Sequence, residues 1–349
     1  MDVYALDYDF NLVMAGIPYD NLQWSRKYYE PGDFEMQLPL SVYDPSWAYI
    51  GSPERSELGM VQRVYSSESD PDKVIVGGFF AEKMLDEKVC YPRYIGDAQK
   101  TETAAREIFE RYKEDIPVSL APANSPLLGD RTQSDFSDDS LGDKLYRILE
   151  SRELSCRVAY DFAANTLRFG VWQGTDRTQS QNENSRQVFS LEFGNLAGRS
   201  VDFDESDWKN YAVIPCDGRD GDNVEQRTLY IDLSNGGRKR KLVIDMRASH
   251  PEEGQSSADF EAAVKQEAME RLLSYAKIED VDISVLGDQG YIADYDLGDK
   301  CDVVLSDLGI EMESRIIEVY EVFKADGHEV TVGLGNKRIS NVRRAVNSL

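Results

Sequence analysis

Apolar and polar residues alternate most cleanly between Tyr291 and Asn336. In Lys300–Leu305, the side chains Cys301, Val303 and Leu305 share one side, the period-two pattern of a half-buried strand. Leu308-Gly309 marks a turn, and Ile310 to Phe323 reads as a second, longer strand. Its phase slips where Ile316 and Ile317 are both apolar, which predicts a β-bulge that bends it. Asp326-Gly327 predicts a type I′ hairpin, whose two central residues take positive φ. Val330, Val332 and Leu334 then alternate in a third strand. The segment therefore predicts an antiparallel meander with a long bent middle strand, as a barrel wall requires, with Val303, Val330 and Val332 buried.

Residues 1–95 repeat this strand-and-turn character, with short strands at Val3–Leu6 and Leu12–Ile17 around an Asp7-Tyr8-Asp9 turn. After Pro31-Gly32-Asp33, Phe34, Met36 and Leu38 alternate with Glu35 and Gln37. Trp24, Tyr28 and Phe34 read as packing residues, since large aromatics are mostly buried. Residues 96–182 change period. Ala104, Ala105, Ile108, Phe109 and Tyr112 form a helical stripe within Thr101–Glu114. Ser140 with Asp143 predicts a capping box for a second helix carrying Leu141, Leu145, Ile148 and Leu149. Ser155–Tyr160 and Thr166–Trp172 read as a hairpin that includes Val158 and Phe169. The Ser/Gln/Asn-rich stretch Thr175–Ser185 reads as an exposed loop or linker.

Strands return from Val188, and residues 183–349 form the third unit. Its one long helix is expected at 257–277, with Phe260, Val264, Ala268, Leu272 and Tyr275 on one face. Glu261–Lys265 and Glu267–Arg271 are expected as i,i+4 pairs on the other. The fold class is mainly β with an α+β insertion, as three units at 1–95, 96–182 and 183–349.

Charge and chemistry narrow the function more than they define it. Lys plus Arg total 39 against 64 Asp plus Glu, a net charge of −25. That balance argues against a general nucleic-acid grip or an anionic-membrane binder. No apolar run reaches transmembrane length, so no membrane insertion is expected, and the N-terminus has no secretory pattern. Cys90, Cys156, Cys216 and Cys301 are scattered, as expected of isolated thiols in a reducing compartment. His250 and His328 have no ligand or triad neighbour in sequence, and His328, just past a turn, reads as exposed. No nucleotide loop, zinc helix or nucleophile elbow appears. The expectation is no catalytic residues, no metal and no organic cofactor. Asp217–Asn223 lacks the glutamate that completes a calcium loop and reads as an acidic turn. Arg238-Lys239-Arg240-Lys241 is the only basic run; it reads either as a solvated tip or as a contact with an acidic neighbouring subunit.

In chain order, the phrases WSRKYYEPGDFE, MLDEKVCYPR, GTDRTQSQNENSRQVFSLEFGNL, WKNYAVIPCDG, DYDLGDKCDVVL and LGIEMESRIIEVYEVFKADGHEVTVGLGN resemble the siphophage gene-product-37-like tail proteins of prophages in Gram-positive bacteria. The resemblance covers nearly the whole chain. It implies a phage tail hub-like fold with two barrel-like β domains, three copies of which make a pseudo-sixfold ring joining tail tube to tip. It further implies a virion structural protein assembled in the host cytoplasm, a homotrimer in the tail, with distal tail and tape-measure proteins as partners and no enzymatic activity. Two alternatives are a host-surface carbohydrate-binding module, marked by exposed aromatics among Trp24, Tyr28, Trp172 and Trp208, and a tail-associated cell-wall hydrolase. A hydrolase domain is not expected, because the chain ends at Leu349 soon after the last meander.

Overall fold

The long strand Ile310–Lys324 is where the two ends of the chain meet in this computed structural model. The structure describes residues 1–335 apart from 69, 133–134, 137–138, 221–222, 252–254, 286–289 and 326. Along one edge the long strand pairs with Gly327–Gly335 from Arg315 to Lys324. Along the other edge its partner changes. Lys300–Leu305 pairs with Ile310–Arg315, and Asn21–Lys27 takes over at Glu318–Lys324. The handover falls at the apolar pair Ile316-Ile317, where the register shifts between Ile316 and Glu318, so the expected bulge is present.

From this strand a ten-stranded sheet extends both ways. One arm runs through Asn21–Lys27, Asp33–Pro39, Asp70–Phe79 and Arg63–Ser67. The other runs through Gly327–Gly335, Ile278–Val285 and Leu196–Asp204. Val188–Ser190 adds in parallel to Lys300–Leu305. Alternation sets the faces: Phe34, Met36 and Leu38 are buried in one core with Leu22, Trp24 and Phe323. Val303, Val319, Val330 and Val332 are buried in a second core with Tyr28 and Phe189. No sheet closes on itself among the described residues.

The hairpin joining the last two strands is one residue earlier than its sequence suggests. Lys324 pairs with Gly327, so Gly327 already belongs to the strand. Asp326 lies outside the described residues.

The helices follow their stripes. Helix α1 (Thr101–Tyr112) and helix α2 (Leu141–Glu150) cover a three-stranded sheet of Val118–Leu120, Thr166–Trp172 and Ser155–Asp161. Ser140 Oγ accepts from the Asp143 amide at 3.1 Å, the expected cap. Phe109 and Phe169 stack with ring centroids 4.3 Å apart, and Val158 is buried with them. The same hydrophobic cluster takes in Leu6, Ala48, Leu58 and Met60 from the first residues of the chain.

Between strands Leu196–Asp204 and Ile278–Val285, which pair directly, the chain inserts a small unit of its own. Tyr211–Asp220 sits between Asn223–Asp232 and Lys241–Val243, and helix α3 (Ser257–Leu273) packs on this sheet. Its core is separate: Ala212, Ile214, Phe260, Val264, Ala268 and Leu272 are buried together. The helix stops at Leu273 rather than Lys277, with Ser274 Oγ bonded back to the Arg271 carbonyl at 2.7 Å. Tyr275 therefore leaves the helical face and is 40% exposed. Glu267 and Arg271 pair as expected, whereas Glu261 turns to Arg227 at 3.2 Å instead of Lys265, because the neighbouring strand brings a guanidinium within reach.

Candidate functional site

The bulge of the long strand is built by three segments far apart in sequence. Ile316 donates to the Asp299 carbonyl and accepts from the Gly298 amide, each at 2.8 Å. Ile317 accepts from the Tyr28 amide at 2.8 Å. Gly298 can sit there because it takes φ +83°; a Cβ on it would lie 2.5 Å from the Tyr28 ring and 2.9 Å from Trp172. The Asp296-Leu297-Gly298-Asp299 turn is thus required by packing.

Around this turn lies a buried polar network. Arg26 donates to Glu57 at 2.7 Å, to Asp296 at 2.6 Å and to the Tyr291 hydroxyl at 2.9 Å. Tyr291 donates in turn to Glu321 at 3.0 Å, and Arg55 reaches the other Glu321 oxygen at 2.7 Å. Burial alone pulls the Arg26 guanidinium down, but Glu57, Tyr291 and Asp296 more than offset it and hold it well above its ordinary value. Burial, reinforced by Glu321, raises the Tyr291 phenol. His328 is not the free, exposed residue its sequence suggests: its Nε2 lies 3.2 Å from Glu321, and its ring stacks on Phe323 at 4.2 Å.

Asp299 performs a second fastening. It accepts from the Thr175 amide at 2.7 Å and from Arg177 Nε at 2.6 Å, and Lys300 donates to the Thr175 carbonyl at 2.9 Å. Asp302 holds the Gln179 amide at 2.7 Å. The stretch Thr175–Ser185 is therefore strapped to the meander at its first half and is not a free linker; Thr178 is fully buried.

Beside the network, a cavity of about 30 Å³ opens between Arg26, Glu57, Glu82, Arg157 and Trp172. Glu82 accepts from the Val158 amide at 3.1 Å through one oxygen, while its other oxygen is buried without a partner. Burial pushes this carboxyl up to about 7. Cys156 lines the same cavity, and burial, reinforced by Glu82, pushes its thiol up, so it is held protonated; no cluster of metal-binding side chains occurs among the described residues. Cys90, Cys156, Cys216 and Cys301 are all buried and unbridged. Trp24 and Tyr28 are fully buried and Trp172 and Trp208 partly so, so the four do not form an exposed aromatic face.

The basic run sits on the inserted unit. Arg240 lies 4.6 Å over the Trp208 ring and pairs with Glu205 at 3.1 Å, and Lys239 pairs with Asp232 at 2.7 Å. The side chains of the acidic turn Asp217–Asn223 beyond Asp217 lie outside what is described.

The family profile of the Siphovirus ReqiPepy6 Gp37-like proteins matches residues 110–336. The chain belongs to that family. The match takes in the DLGD turn, the bulge and the inserted unit of this Gp37-like protein, but not the Trp24–Glu35 phrase. Three solved structures share its fold. The 43 kDa tail protein of prophage MuSo2 from Shewanella oneidensis is 13% identical with a TM-score of 0.60, over 96% of this chain and 98% of that one. A tail protein from Neisseria meningitidis is 13% identical with a TM-score of 0.60, over 95% of both chains. Prophage tail protein gp18 from Listeria monocytogenes is 12% identical with a TM-score of 0.59, over 99% of this chain and 98% of that one. No protein of curated function matches the sequence.

Sequence reasoning singled out the DLGD turn and the bulge but missed their partners Arg26, Glu57 and Glu321. The available signal was charge within otherwise apolar strands: Arg26 interrupts a core strand, and Glu321 alternates with Tyr320 and Val322.

Proposed function

We propose that this Gp37-like protein is a structural subunit of a phage or prophage tail tip or baseplate, hub-like, linking the tail tube to the host-attachment apparatus. The observation that carries the reading is the long strand Ile310–Lys324, which serves the sheets of both chain ends and fastens them into one frame. A load-transmitting ring component needs such rigidity. Family membership and a fold shared with tail proteins support the same reading.

In this reading residues 1–95 and 183–349 supply two barrel-like units and residues 96–182 the α+β unit between them. Three copies surround the tail axis, so that six similar units face a sixfold tube, with distal tail and tape-measure proteins as neighbours. The protein acts in the virion after assembly in the host cytoplasm, and it catalyses no reaction. The buried arginines and carboxylates of the network already partner one another, which favours a fastening role over chemistry.

The test is to tag the chain, induce particles and image them by cryo-electron microscopy. Three copies at the distal end of the tail are expected. A tag found on the head, or only outside particles, would overturn the reading.

A further inference from the structure

The inserted unit brings Lys209 and Lys277 beside the basic run of a chain whose net charge is −25. Glu205, Trp208, Lys209, Arg238, Lys239 and Arg240 line an open groove of about 640 Å³. The indole is its apolar wall, with Arg240 at 4.6 Å and Lys277 at 5.4 Å from the ring. Some of the positive charge is already matched: Glu205 faces Arg240 at 3.1 Å and Lys277 at 2.8 Å, Glu279 also faces Lys277 at 3.0 Å, and Asp232 faces Lys239 at 2.7 Å. Lys209 and Arg238 have no ion-pair partner among the described residues.

These cations stand on a pinned backbone. Asn210 is 4% exposed; its amide nitrogen donates to the Arg238 carbonyl at 3.0 Å and its oxygen accepts from the Arg240 amide at 2.7 Å. A groove held this way loses little freedom on binding, unlike a solvated tip. Two unmatched cations beside an indole suit a short segment offering carboxylates and one apolar side chain. A long polyphosphate suits it poorly, because nucleic-acid grips spread many cations along the backbone, whereas here the unmatched cations are two and stand beside one indole.

We propose that the Trp208 groove docks a carboxylate-rich polypeptide segment of a neighbouring protein, with an apolar side chain against the indole. The tail-tip reading enters only as the source of that neighbour.

The test is fluorescence anisotropy of the full chain with a fluorescein-labelled Glu-Glu-Leu-Glu-Glu peptide at about 50 mM salt, where screening is modest. Saturable binding is expected, weakened about tenfold in the double variant Lys209→Glu/Arg238→Glu, as expected when two contacting charges are reversed. Trp208→Ala should also weaken it, and Arg63→Glu, on the remote exposed strand, should not. Equal thermal unfolding of wild type and double variant checks that the fold is kept. Absence of saturable binding, no effect of the double variant, or tighter binding of a DNA oligonucleotide of equal charge would each overturn the proposal. Particle imaging tests the tail-tip reading separately, and a failed peptide titration leaves it standing.

Discussion

Arginines meet carboxylates and aromatic rings both at the bulge and in the Trp208 groove, but the two places keep different amounts of water. The Arg26 and Glu57 side chains are 10% and 13% exposed, and Glu321 is fully buried. Arg240 and Glu205 are 28% and 44% exposed. In the first place each charge depends on its partners for lost hydration, so the set stands or falls together. In the second, water substitutes for a missing partner at little cost, which leaves the cations available to something else.

The largest test of that contrast is Arg26→Met. Removing the cation strands Glu57 in the interior, although Asp296, 39% exposed, keeps its water, and a loss on the order of 3 kcal/mol is expected by chemical denaturation. Arg240→Met in the groove should cost less than about 1 kcal/mol. Equal losses would erase the distinction between the two places.

Glu82 adds a pH dependence to the buried side. Its carboxyl is raised from 4.5 to about 7 in the folded chain, so the fold holds a proton that the unfolded chain releases. Its contribution is full below about pH 4.5 and is lost as pH rises through about 7, by on the order of 3 kcal/mol. Stability of the wild type relative to Glu82→Gln should therefore fall across that window. A difference that stays flat from pH 5 to about 8 would show the carboxyl to be solvated.

Gly298→Ala probes the turn that seats the bulge. The residue takes φ +83° against Tyr28 and Trp172, and strain plus overpacking should cost about 2–3 kcal/mol. A thermal midpoint like that of wild type would mean that the turn relaxes freely. The smallest effect is expected on the solvent face of helix α3. There Glu267→Ala removes an exposed i,i+4 pair and should cost no more than about 0.5 kcal/mol.

Much of the local structure was legible because it is set by neighbours in sequence. The stripe Ala104–Tyr112, the Ser140 cap, the alternation in Phe34–Leu38 and the slip at Ile316-Ile317 all read directly. Long-range partnerships were not. Nothing adjacent to Asp299 announces Thr175 and Arg177, so a polar stretch that is strapped down reads as a linker. His328 looks exposed because Glu321 lies across a hairpin, seven residues away. The separateness of the inserted unit was hidden too, since its strands alternate like those of the main sheet. The groove was half visible: the basic run stood out, but Trp208 joined it only through the fold.

The pairing of Asn21–Lys27 with Glu318–Lys324 also orders events in time. At synthesis rates of about 5–20 residues per second, the first strand waits roughly 15–60 s for its partner to leave the ribosome. Until then one edge of Asn21–Lys27 is unpaired, and Leu22 and Trp24 lack Phe323. The three-stranded sheet under helices α1 and α2 needs no such delay, because its last strand ends at Trp172. Folding from the ribosome should therefore leave this open edge of Asn21–Lys27 to be closed last.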